Sequence, residues 1–249
     1  MKGINMTIGI VIGFTVIIFL GFLMLKGRTT QASPNISDKV LETKNQTVPD
    51  LPVGFGYKCM WFAVKTDDKA KIARILGIKN VKECNWKVGI EKAYAGSIFI
   101  TPAIDGWTLS CGVGLPHDGS EESIYEVKEL LQILSKEFGE AQFFSTHRIV
   151  EYHCWMKATD GKVSRVYSYL GESGENILIE GTPIGFEKSL KLANTFSDEA
   201  KDNKYFERED ITWADEELVM KIAGEWSIDP SQLDKRKDVA PSLGLLGQK

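Results

Sequence analysis

Apolar positions change their period several times along the 249 residues, and each change marks an element. Residues 3–25, between Lys2 and Lys26, contain no charge and read GINMTIGIVIGFTVIIFLGFLML. About 20 apolar residues cross the hydrocarbon core of a bilayer, so the run predicts a single-pass transmembrane anchor over residues 1–28. A cleavable signal peptide has a shorter apolar region, ~7–15 residues, ending in a small-residue cleavage site. Here Lys26 and Arg28 follow the run directly. Gly9 and Gly13 form a G-x-x-x-G pair, which lets two such helices approach closely and suggests a homodimer.

Residues 29–54 are polar and carry three prolines, which predicts a flexible linker. Pattern density then rises, and residues 55–233 read as one globular domain. Residues 55–65 (FGYKCMWFAVK) are apolar throughout and predict a buried strand. Ile72, Ile75 and Leu76 mark a helix after Thr66 or Asp67. Trp86, Ile90 and Tyr94 mark another behind Asn85. Strands over 97–102 and 107–115 flank the turn pair Asp105-Gly106. Ile124, Val127, Leu130, Leu131, Leu134 and Phe138 form the stripe of an amphipathic helix between Ser120 and Gly139.

A long hairpin over 141–170 comes next, followed by a short strand at 176–179, a helix around 186–195 and a last helix from Asp215. Residues 234–249 read as a disordered tail. The order strand, helix, strand, strand, helix, strand predicts an α+β fold with a ferredoxin-like split βαβ start, helices on one side, extended by a β-meander.

The hairpin carries the candidate chemistry. A type I′ turn at Asp160-Gly161 pairs Ala158 with Val163, Met156 with Arg165, Cys154 with Tyr167 and Tyr152 with Tyr169. Alternation then gives one apolar face, with Arg148 and Arg165 as its exceptions. The other is a mixed face of Ile149, Glu151, His153, Trp155, Lys157, Ser164, Val166, Ser168 and Leu170. Glu151 and His153 stand two residues apart on that face, where a carboxylate orients an imidazole for general-base work. They are the catalytic candidates of a metal-assisted or acid–base hydrolase. His147 shares their parity, but about 20 Å of straight strand separates it from His153, so no metal site is assigned. Ile149, Trp155 and Leu170 are the candidate binding patch.

Composition narrows the classes. Beyond residue 28 the balance is 27 basic to 34 acidic residues, a poor footprint for nucleic acid. No G-x-G-x-x-G, P-loop or G-x-S-x-G is present, so no cofactor is implied. Four cysteines stand singly, and Lys26, Arg28, Lys39 and Lys44 follow the anchor, which points the C-terminal domain to the cytoplasm. The expectation is a membrane-anchored module that binds a protein or ligand. The hydrolase and a structural envelope component are the alternatives.

Overall fold

The computed structural model describes residues 45–116 and 120–249. The anchor, its Gly9 and Gly13, and most of the linker lie outside the described residues. Among those described, no helix is long and apolar enough to cross a membrane.

The chain forms an α+β fold around one sheet of nine strands. These are β1 (Cys59–Val64), β2 (Lys79–Cys84), β3 (Ile98–Ile100), β4 (Thr108–Cys111), β5 (Glu140–His147), β6 (Tyr152–Thr159), β7 (Lys162–Leu170), β8 (Glu175–Glu180) and β9 (Gly244–Gln248). They lie in the order β2-β9-β3-β4-β1-β5-β6-β7-β8 with antiparallel pairing throughout. The helices are α1 (Lys69–Ile75), α2 (Trp86–Tyr94), α3 (Glu121–Phe138) and α4 (Glu216–Trp226).

Both faces of the sheet are covered, which explains why β1 shows no alternation in its sequence. Cys59, Trp61 and Ala63 enter one core layer, Met60, Phe62 and Val64 the other, and all six are fully buried. The helices therefore do not share one side. Ile72 of α1 and Ile124, Val127, Leu131 and Leu134 of α3 fill the Met60 layer. Trp86 and Ile90 of α2 and Val219 and Ile222 of α4 fill the Trp61 layer. Burying each large side chain contributes about 1.5–3 kcal/mol, so neither layer is dispensable.

Local signals hold where the pattern is strong. Ser120 Oγ accepts from Ser123 N at 3.2 Å, and Gly139 at φ 85° closes α3. Asp160 (φ 49°) and Gly161 (φ 77°) make the expected turn. Two other expectations fail. Residues 186–195 form only a 3-10 turn, Gly185–Ser189, before an extended stretch. The tail expected to be disordered over 234–249 instead starts at the end of a 3-10 turn (Pro230–Lys235) and supplies β9, which pairs with both β2 and β3. The linker boundary moves as well: Asp50 already belongs to the domain, its carboxylate accepting from Trp86 N (2.6 Å) and Lys87 N (3.0 Å).

The hairpin register also departs from expectation. Ala158 pairs with Val163, but Lys157 then pairs with Arg165, which leaves Ser164 as a bulge. Beyond it Met156 faces Val166, Cys154 faces Ser168 and Tyr152 faces Leu170. A shift of one residue moves every later side chain to the opposite face. Tyr152 accordingly lies in the Met60 layer, whereas Tyr167 and Tyr169 lie in the Trp61 layer.

Because β2 has β9 as its sheet neighbour and no other, removal of residues 244–249 should detach the edge strand. Thermal unfolding of the truncated full chain should show Tm lower by roughly 10 °C. An unchanged Tm would show that the tail has no structural role.

Candidate functional site

The two catalytic candidates have different environments. His153 on β6 is 3% exposed and faces the Trp61 layer between its cross-strand partners, Thr146 and Tyr169. Glu151 precedes β6 in a turn, at φ 52°, and is exposed. Its side chain lies against Gly171, where an added Cβ would stand 2.4 Å from Glu151 Oε2. The carboxylates that act on His153 are instead Asp215 and Glu216, at the start of α4.

Those acids stand there for a local reason. Asp215 caps α4 by accepting from Leu218 N at 2.7 Å, and Glu216 follows where the helix dipole favours negative charge. The Thr146 hydroxyl lies 3.4 Å from Glu216 Oε1 and 3.1 Å from His153 Nδ1. With its one proton directed to the carboxylate, the hydroxyl accepts from Nδ1–H, which sets the imidazole tautomer. Arg148 Nη2 closes the chain on Glu216 Oε2 at 2.8 Å. Burial lowers the His153 pKa, while Asp215 and Glu216 oppose that shift. The imidazole therefore sits neutral in an acid–hydroxyl–imidazole relay. Thr146 is fully buried, and none of the four clefts described below includes Thr146, His153 or Glu216. As it stands, the relay locks the start of α4 to β5 and β6.

The three patch candidates are not brought together. Trp155 is fully buried in the Trp61 layer, stacked on Tyr167 at 4.4 Å. Leu170 packs against the opposite layer, and Ile149 is 74% exposed in the turn before β6. The bulge splits the expected mixed face: Trp155 lies in the layer covered by α4 and the irregular segment 181–214, whereas Val166 and Leu170 lie in the opposite layer. His147 is half-buried, with an Nδ1 that has no hydrogen-bond partner among the described residues.

Sequence reasoning missed the strongest buried polar network. Arg165 and Glu187 are 2% and 0% exposed and pair at 2.7 Å. Glu187 Oε1 also accepts from Arg165 Nε (2.9 Å) and from Trp155 Nε1 (2.8 Å). Its Oε2 accepts from Ile184 N. Arg165 Nη1 donates to the carbonyls of Val166, Glu180 and Gly181. One legible signal was Arg165 on an otherwise apolar face. Its partner, 22 residues away in a polar stretch, carried none.

This network pins residues 181–214, a stretch too long for an ordinary connection and without α-helix. Tyr167 Oη donates to Ala193 O at 2.9 Å, and Leu192 bridges Thr212. Between the segment and β8 lies a cleft of about 320 Å³ walled by Tyr167, Ile179, Pro183, Leu190 and Leu192. On the outer side, Trp213 contacts Tyr169 at 5.6 Å and stacks on Phe206 at 5.9 Å. Phe206 and Phe196 are 48% and 61% exposed.

Other clefts measure about 420 Å³ at the β2–β9 edge, 260 Å³ beside Tyr57 and Tyr94, and 250 Å³ beside Arg236. The four cysteines are unpaired and buried; burial raises the thiol pKa of Cys84 to about 11 and of Cys154 to about 12. The Cys84 and Cys154 thiols therefore stay protonated and make poor nucleophiles or metal ligands. Among the described residues, no group of three or more His, Cys, Asp or Glu is placed to hold a metal ion.

Two outcomes follow for this region. The folded pKa of His153 lies below the usual imidazole value of about 6.5, so the unfolded chain binds more protons as pH falls. The corresponding stability is present above that value and is lost as pH drops from it toward the folded pKa. Urea unfolding across that window should show the loss in the wild type and a flatter profile in His153→Gln; parallel profiles would contradict it. Glu187→Ala leaves Arg165 buried and unpaired and should cost about 3–5 kcal/mol, while Arg165→Met with Glu187→Leu should cost less than either single change. A double variant weaker than both would show that the pair itself supplies the stability.

No protein-family model, curated protein or solved structure matches this chain, so its site is read from its own residues and geometry.

Proposed function

We propose that the chain is a membrane-tethered recognition domain that binds a protein partner through the outer surface of residues 181–214. The tether is the uncharged run over residues 3–25, long enough for one bilayer crossing. Lys26, Arg28, Lys39 and Lys44 beyond it favour a cytoplasmic domain, as do four unpaired, buried thiols. The domain's start is read as a ferredoxin-like unit. The strand order β5-β1-β4-β3 supports that reading, with β6 to β8 as its meander and β2 and β9 added at the other edge.

The observation that carries the binding reading is Phe206 on Trp213. An exposed aromatic is stacked on a half-buried one, on a segment that a buried ion pair holds in one conformation. Aromatic residues are enriched at protein interfaces, and a preorganised loop loses little entropy when it binds. The imidazole, hydroxyl and thiols that hydrolysis would need are sealed in the core. The recognition surface is open.

Photo-crosslinkers at Phe206 and, as a control on the opposite layer, at Tyr125 test the reading in intact membranes. Position 206 should give an adduct of defined mass that Trp213→Ala reduces at least several-fold; position 125 should give none. Equal labelling at both positions, or no adduct at either, would remove the proposal. In the same membranes the full chain should resist alkaline extraction, whereas a chain lacking residues 1–28 should be released.

A further inference from the structure

Charge separates the cleft at the β2–β9 edge from two of the others. In the cleft beside β8, Arg165 is neutralised by Glu187, and Lys191 by Asp210 and Glu199. In the cleft beside Arg236, the guanidinium is held by Asp105 and Asp238. The edge cleft, at about 420 Å³, falls in the range of small-ligand sites and is bordered by Asn80, Lys82, Ser97, Leu246, Gly247 and Gln248. None of the side chains of Asn80, Lys82, Ser97 and Gln248 makes a hydrogen bond or ion pair with another described residue. Four polar residues thus border one concavity, their side chains without partners among the described residues.

Backbone geometry builds the cleft. Lys79 pairs with Gln248 and Lys82 with Leu246, so β2 carries one extra residue across this step. Asn80 takes up the bulge at φ 55°, a conformation asparagine tolerates better than most residues. On β9, Leu246 and Gln248 share a face. Leu246 lies between Lys82 on one side and Phe99 on the other, and packs against the Trp61 layer. Helix α2 covers that layer only as far as Tyr94, and the cleft opens beyond it, next to Ser97. Gly247 contributes backbone alone, since a Cβ there would meet Lys79 O at 2.7 Å.

We propose that this cleft is a binding site for a small organic carboxylate. Lys82 supplies the counter-charge, the Asn80 and Gln248 amides and the Ser97 hydroxyl supply hydrogen bonds, and Leu246 supplies an apolar floor. A single ammonium without an arginine fork or a cradle of backbone N–H groups suits a monoanion better than a phosphate dianion. The apolar floor favours an acid with a short hydrocarbon body over acetate.

The test uses the full chain in detergent micelles with ¹³C-methyl leucine, the Leu246 signal being assigned through Leu246→Met. Isovalerate should shift the Leu246 methyls saturably. Its neutral isostere isovaleramide should bind at least ~10-fold more weakly, the equivalent of one ion-paired contact of about 1.4 kcal/mol. Lys82→Gln should abolish the preference for the acid at unchanged Tm, whereas Lys87→Gln, a lysine outside the cleft, should leave it intact. No saturable shift, equal binding of acid and amide, or tighter binding of inorganic phosphate would each overturn the assignment.

Discussion

The buried contact between Arg165 and Glu187 constrains more of this structure than any other single interaction. A guanidinium and a carboxylate removed from water are tolerable only when nearly every donor and lone pair is engaged. Here they are, and the partners are spread over the fold: an indole on β6, carbonyls at the end of β8, and an amide in the segment that follows. The pair thus fixes where residues 181–214 leave the sheet. Gly181 meets the same constraint from the backbone, at φ 72°, since a Cβ there would lie 2.0 Å from Ser164 O. The bulge at Ser164 belongs to this arrangement too. In an unbroken register Arg165 would enter the layer of Met156 and α3, away from Glu187. With the bulge it enters the layer that holds Glu187.

The two faces of the sheet solve the same burial problem differently. Under α1 and α3 the layer is largely aliphatic, and regular helices with satisfied backbones cover it. The opposite layer carries Trp61, Trp86, Trp107, Trp155, Tyr167 and Tyr169 beneath two shorter helices and an irregular segment. Irregular cover brings unpaired carbonyls and carboxylates to the core. An indole N–H and a phenol O–H meet them at their rims while burying large apolar rings, although the indole N–H groups of Trp61 and Trp86 find no partner among the described residues. Trp155 on Glu187 and Tyr167 on Ala193 O are the clearest cases.

That difference also accounts for what could be read in advance. The stripe of α3, the Asp160-Gly161 turn and the Asn85 cap are local, and the sequence states them within a few residues. The α+β class follows from them. β2, with the sequence KNVKEC, has five exposed residues and so no apolar period to announce it. The glycine-rich β9 is ordered by its neighbours, not by propensity. The mixed face of the hairpin looked solvated because its polar residues could not reveal their partners. Those partners come from α4 and from Glu187, far along the chain. Glu151 and His153 read as neighbours on one strand face, but Glu151 sits in the turn before β6. The acids that tune the imidazole belong to a helix cap more than 60 residues later, a relation no local pattern encodes.

Edge protection alone would account for some of what surrounds the β2–β9 cleft. Exposed lysines and a bulge discourage a neighbouring chain from pairing with an open strand, and β2 shows both. Protection, however, asks only that charge and irregularity lie along the outer edge. It does not require Ser97, just before β3, and Gln248, on β9, to border the same concavity as Lys82. Nor does it require a leucine floor beneath them. A guarded edge leaves its polar groups to solvent in all directions, whereas these four border one concavity. The economy of the rest of the molecule sharpens the contrast, because the charged groups of the cleft beside β8 and of the one beside Arg236 already have partners within the fold. Polar capacity left unspent at a concave surface is what distinguishes recognition from mere solubility.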